Sequence, residues 1–236
     1  VRRGAVLGGE WVVGGGGTPE IDTPAAEASL RAEYSERPRI GALGTSTGAE
    51  VDGQTFAPLA AVPGELDEIV RTGGGDRSGA VRGEVYLDEA FTADRLTGVL
   101  SERTPWVHLA SHFHFRPGTE ADSFLLLGDG GQLTLADLRH GGFPLVDVDQ
   151  LTLSACETAM GAPGADGREV EGMAVMAQNL GARSVMATLW PVADESTAAG
   201  MGEMYRLQAK EGLIKAEAVR RTQLQFLSGE MMVSGK

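Results

Sequence analysis

The only cysteine in 236 residues, Cys156, follows the run Leu151-Thr152-Leu153-Ser154-Ala155. Forty-four positions earlier, His112 closes a second hydrophobic run, Trp106-Val107-His108-Leu109-Ala110-Ser111. A free thiol with a pKa of ~8.5 is only a few per cent ionised near neutrality. An imidazole within hydrogen-bond reach can take its proton and later return it to a leaving amine. One Cys and one His, each at the end of a strand, therefore outline nucleophilic attack by a thiolate on a carbonyl. The competing reading is an inert core thiol. The strand-terminal position, ahead of Glu157-Thr158-Ala159-Met160-Gly161, weighs toward the nucleophile.

Two further histidines lie close by at even spacing, His108 and His114. His108 sits inside the strand and reads as a satisfied core histidine, while His114 is expected on the surface or in the cleft. On a continuous strand all three would share a face, but a zinc site built from them is disfavoured, because it would need a carboxylate or another ligand and strand geometry is rigid. Gly128-Asp129-Gly130-Gly131 superficially suggests a phosphate loop, but no Lys-Ser/Thr follows, so it reads as a turn.

The elements that must position these residues alternate along the chain. Strands are expected at 39–43, 81–87, 106–111, 151–155 and 184–189, with a further apolar run at 124–127. Helices are expected after Pro63, after the capping residue Thr92, over 134–140, along Val170 to Leu180, along the Thr197, Gly200, Met201, Met204 and Tyr205 face, and over about 214–227. Gly181 reads as the C′ residue that ends one of them. Strands apolar on both faces, interleaved with helices, predict an α/β fold with a central, mostly parallel sheet flanked by helices. In such sheets function gathers beyond the strands' carboxyl ends, where His112, Cys156 and Trp190 each follow a strand. Residues 1–55 carry no motif and are read as an N-terminal extension, or the edge of a longer protein, ahead of a domain over 56–236.

Four blocks in order, Val107-His108-Leu109-Ala110-Ser111-His112, Leu153-Ser154-Ala155-Cys156-Glu157-Thr158-Ala159, Gly181-Ala182-Arg183-Ser184-Val185 and Leu189-Trp190-Pro191-Val192-Ala193-Asp194, closely resemble the CHAT domain. This is a caspase-like peptidase domain, related to separase and more distantly to caspases and gingipains, that in bacteria is often attached to TPR repeats. Caspase-type chains place their His about 50 residues before the Cys. The resemblance implies a caspase-like sandwich and a cysteine peptidase with Cys156 as nucleophile, His112 as base, and no metal or cofactor. It also implies an oxyanion hole from the N–H groups of Cys156 and of the residue after the His. That residue is usually Gly in the family and is Phe113 here. Separase-like members carry an Asp after the Trp-containing strand that contacts a basic P1 side chain. By position this is Asp194 beside Trp190, although Asp194 also suits a cap for a helix starting near Ser196. Gly161 to Arg168 reads as a surface loop, with self-cleavage after Arg168 as the alternative.

Composition narrows the partners. With 20 basic against 33 acidic residues the net charge is −13, which disfavours nucleic acid and anionic membranes, since both need a basic patch. One cysteine excludes an internal disulfide and suits a reducing, cytoplasmic setting. No apolar run reaches 18 residues, so no membrane-spanning helix is expected. The expected partners are a protein or peptide substrate and a regulatory domain, such as a TPR array, outside this chain. The alternative is a catalytically silent CHAT-like interaction module.

Overall fold

Parallel strands need coverage on both faces, and alternation of short strands with amphipathic helices supplies it. The computed structural model of the protein describes residues 11–15, 38–73, 78–114, 122–154, 168–188 and 194–231. Along the chain run β1 (Trp11–Gly15), β2 (Arg39–Gly44), β3 (Ala49–Val51), β4 (Gln54–Phe56), α1 (Val62–Ile69), β5 (Val70–Arg71), β6 (Val81–Leu87) and α2 (Ala93–Ser101). They are followed by β7 (Trp106–Ala110), β8 (Phe113–His114), β9 (Phe124–Leu126), β10 (Gln132–Thr134), α3 (Leu135–His140), β11 (Gln150–Ser154), α4 (Arg168–Asn179), β12 (Ser184–Thr188), α5 (Asp194–Glu211) and α6 (Lys215–Ser228).

Seven strands form one sheet in the order β1-β12-β11-β7-β2-β6-β5. Six are mutually parallel, and β1 adds an antiparallel edge on β12. The α/β fold expected from the sequence is the one observed. β1 and β2, both from the first 55 residues, belong to this sheet, and β2 pairs directly with β7.

The helix ends follow local chemistry. Thr92 accepts the Arg95 N–H at 3.1 Å and starts α2, and Thr134 with Asp137 forms a capping box for α3. Beyond α4, Gly181 has φ +114°, and a Cβ there would lie 2.7 Å from Val146 Cα. Gly128 to Gly131 is the β9–β10 turn, closed by the Leu127 N–H donating to Gly131 O at 2.8 Å.

Both faces of the sheet are covered, with different chemistry. Leu43, Val107, Leu109, Leu151, Leu153, Val185 and Ala187 pack against α2 and α4 in an all-apolar cluster. On the other face Ile40, Ala42, Trp106, Ala110 and Met186 meet α1, α5 and α6. That face also buries a polar stripe, because β7 and β11 turn His108, Gln150, Thr152 and Ser154 inward at 0–2 % exposure. Beyond the carboxyl ends of β2 and β7 lie a β3–β4 hairpin and a small β10-β9-β8 sheet, joined by Phe56, Phe124 and Leu126.

Candidate functional site

The neighbouring strands β7 and β11 run parallel, with Ala110 directly opposite Ser154. His112 and Cys156 each follow two residues beyond this couple. Two residues of chain span at most ~7 Å, so His112 stays near this rim. Cys156 and Trp190 lie outside the described residues, as does the loop 161–167. Asp194 is placed as the first residue of α5, the helix that follows β12 at the same rim.

β7 ends at Ala110, one residue before the expected boundary, so His108 and His112 do not share a strand. His112 is fully buried. Its Nε2 lies 2.7 Å from the Ala57 carbonyl oxygen, and its ring stands 5.3 Å from that of Phe56. A carbonyl oxygen only accepts, so Nε2 must carry the hydrogen. In the neutral ring this leaves Nδ1 as the basic nitrogen. One backbone group thus sets both the tautomer and the orientation of the imidazole.

Phe113 continues into β8 opposite Leu125. The Leu126 N–H donates to His112 O at 2.9 Å, which makes 112/126 a hydrogen-bonded pair of the antiparallel ladder. The next pair, 113/125, is then a non-bonded one, and its backbone groups point away from β9. The Phe113 side chain is buried in the core, and its φ is negative. Neither strain nor crowding of the rim arises where the family usually carries Gly. His114 departs from its expected exposure: it is buried, with its ring 5.1 Å from Phe124. The pairing of β8 with β9 turns it into the hairpin core.

His108 belongs to a different assembly. Its Nε2 lies 3.0 Å from Glu65 Oε1, with both side chains fully buried. The nitrogen is off the line for a hydrogen bond, so this is a contact between ionisable groups rather than an in-line bond. Tyr205 donates its hydroxyl to Thr152 Oγ1 at 2.7 Å and sits 3.4 Å from His108 Nδ1. Burial pushes the Tyr205 phenol well above its ordinary range, so it remains a donor. Ser154 donates to Glu65 Oε1 at 2.6 Å. Sequence reasoning did not find Glu65, although one signal was present: Glu65 sits within the stripe Val62, Leu66 and Ile69 that α1 buries. The role of Ala57 is carried by a backbone carbonyl and leaves no signal in the residue type.

A cavity of about 610 Å³ opens at the same rim, lined by Thr45, Thr47, Asp88, Glu89, Leu126 and Asp129 among others. Thr45 donates its N–H to Ala110 O at 3.0 Å, which places this acidic hollow beside the chain leading to His112.

The structure is a parallel α/β sheet covered on both faces, with a buried, backbone-oriented histidine beyond the carboxyl end of β7. The CHAT domain profile matches residues 20–233, and the chain belongs to the CHAT domain family. That family is related to caspase-like cysteine peptidases. No curated protein and no solved structure matches the chain. Among the described residues no helix is long and apolar enough to cross a membrane.

Proposed function

We propose that the chain is a cysteine endopeptidase that cuts a protein partner after a basic residue, using Cys156 and His112. The observation that carries this reading is the register of β7 on β11, with Ala110 opposite Ser154 and each two residues short of a dyad member. His112 Nδ1 takes the thiol proton while Nε2–H stays on Ala57 O. The thiolate attacks the scissile carbonyl, and the N–H groups of Cys156 and Phe113 hold the oxyanion. Collapse breaks the C–N bond, the imidazolium protonates the departing amine, and a thioester remains on Cys156. Water, deprotonated by His112, then releases the acid and the free thiol.

Asp194 and Trp190 form the P1 pocket in this reading, with a carboxylate that pairs with Arg or Lys. The acidic lining of the neighbouring cavity, from Asp88, Glu89 and Asp129, supports a cationic substrate segment. A regulatory domain outside the chain would gate access. A catalytically silent interaction module is the second reading, favoured by the full burial of His112. A peptide library varied at P1, offered to wild type, Cys156→Ala and Asp194→Ala, tests the proposal. Cleavage after Arg or Lys that vanishes with Cys156→Ala supports it. If no peptide is cut and Cys156 resists an Arg-chloromethylketone, the interaction module takes its place.

A further inference from the structure

Ser154 is where the two arms of the rim meet. Its buried hydroxyl donates to Glu65 Oε1 at 2.6 Å, and its carbonyl accepts the Ser111 N–H at 3.2 Å. Ser154 stands two residues before Cys156, and Ser111 stands one residue before His112. One residue is thus tied by its side chain to α1 and by its backbone to the approach to the histidine. Glu65 comes from a third element, 89 positions away in the chain, and is itself 1 % exposed. Its second oxygen, Oε2, is buried without a partner among the described residues, and its contact with His108 is off-line. An apolar side chain of similar volume would fill the same space with less desolvation. Packing alone therefore gives no reason for a carboxylate at this point.

We propose that Glu65 is a positioning residue. By accepting the Ser154 hydroxyl it sets where β11 leaves the sheet. Through the Ser154 carbonyl it sets where β7 leaves, so that Cys156 and His112 depart at a defined separation. This inference rests on the Cys–His reading given above, and it adds to that reading a residue from a third element, α1.

The single cysteine makes the test direct, because the pH dependence of iodoacetamide alkylation of the full chain reports one thiol. In a working dyad the wild-type thiol titrates below the free-thiol value of ~8.5, and His112→Ala returns it there. Ser154→Ala removes one hydroxyl and leaves the sheet pairing intact. It is expected to raise the apparent thiol pKa by about one unit and, on any peptide the wild type cuts, to lower kcat about 10-fold with KM within about twofold. Glu65→Gln keeps an oxygen that accepts from Ser154 and is expected to stay close to wild type in both readouts. All measurements are made well below the lowest melting temperature of the set, so that loss of folding is not read as loss of positioning. A wild-type thiol that titrates like His112→Ala defeats the dyad reading and this inference with it. A lowered wild-type value that Ser154→Ala leaves in place overturns the inference alone. So does a Glu65→Gln thiol that rises as far as that of Ser154→Ala, since charge rather than the hydrogen bond would then be responsible.

Discussion

His108 and His112 stand four residues apart, both with no exposed surface, yet they are held in different ways. His108 lies within β7 and is surrounded by side chains from three other elements: Glu65 on α1, Thr152 on β11 and Tyr205 on α5. His112 lies past the strand end and is held by a backbone carbonyl and by the tilted ring of Phe56. His108 is packed among interior side chains, with Glu65 and Tyr205 beside its ring, and reads as a structural member. His112 has one ring nitrogen on a backbone carbonyl, the arrangement that its proposed role as base uses. The difference teaches that two equally buried histidines can sit in unlike surroundings, one among interior side chains and one on a backbone carbonyl.

The comparison can be broken most sharply at the rim. Cys156→Ala and His112→Ala are each expected to lower kcat/KM by about 10³-fold or more. Melting temperature should shift by no more than a few degrees, read by calorimetry beside peptide cleavage. If His112→Ala unfolds the protein while His108→Ala only silences it, the two roles are reversed.

The interior carries the largest expected effect on stability. Replacing His108 or Glu65 alone with Leu leaves the other buried and uncompensated, and should cost about 3–5 kcal/mol in urea unfolding. Replacing both with apolar residues of similar volume should recover most of that loss. Strong non-additivity would show that the pair acts as a unit, and additive losses would contradict it.

Asp194→Ala is expected to weaken cleavage after Arg by about 10- to 100-fold, close to the worth of one charge-assisted hydrogen bond. Cleavage after uncharged P1 residues should change far less. An equal loss for every P1 residue would make Asp194 a helix-start residue and not a specificity determinant.

The smallest effect is on α6, where Glu217 meets Arg220 and Arg221. Hydrogen bonds from Arg220 first and Arg221 second hold the Glu217 carboxyl down to about 2, from an ordinary 4.5. A carboxyl depressed in the folded state adds stability that is fully present above its unfolded value. That stability is lost as pH falls from about 4.5 through about 2. Because these groups are largely solvated, Glu217→Gln should lower the melting temperature at pH 7 by no more than about 2 °C. The gap from wild type should close in acid. A gap that widens below pH 4 would reverse the sign of the linkage.

Much of this architecture was written in local pattern. The alternation of strands and helices, the Thr92 cap, the Gly181 terminus and the β9–β10 turn all depend on residues close in sequence, and each was legible from its neighbours. The carboxyl ends of β7 and β11 were legible for a related reason: strand ends in a parallel sheet face one rim whatever the loops do. His114 was misread because its burial depends on β9 folding back over β8, a pairing with a segment ten or more residues on.

By itself the sequence determined a parallel α/β sheet, the identity of its strand ends and membership of a caspase-related family, because periodicity and short motifs are local properties. Only the tertiary structure decided that Ala57 O orients His112, that Phe113 turns its side chain into the core, and that Glu65 meets Ser154 beneath the rim. Those relations join positions 55, 12 and 89 residues apart. Chain packing in three dimensions chooses such partners, and no run of neighbouring residues encodes them.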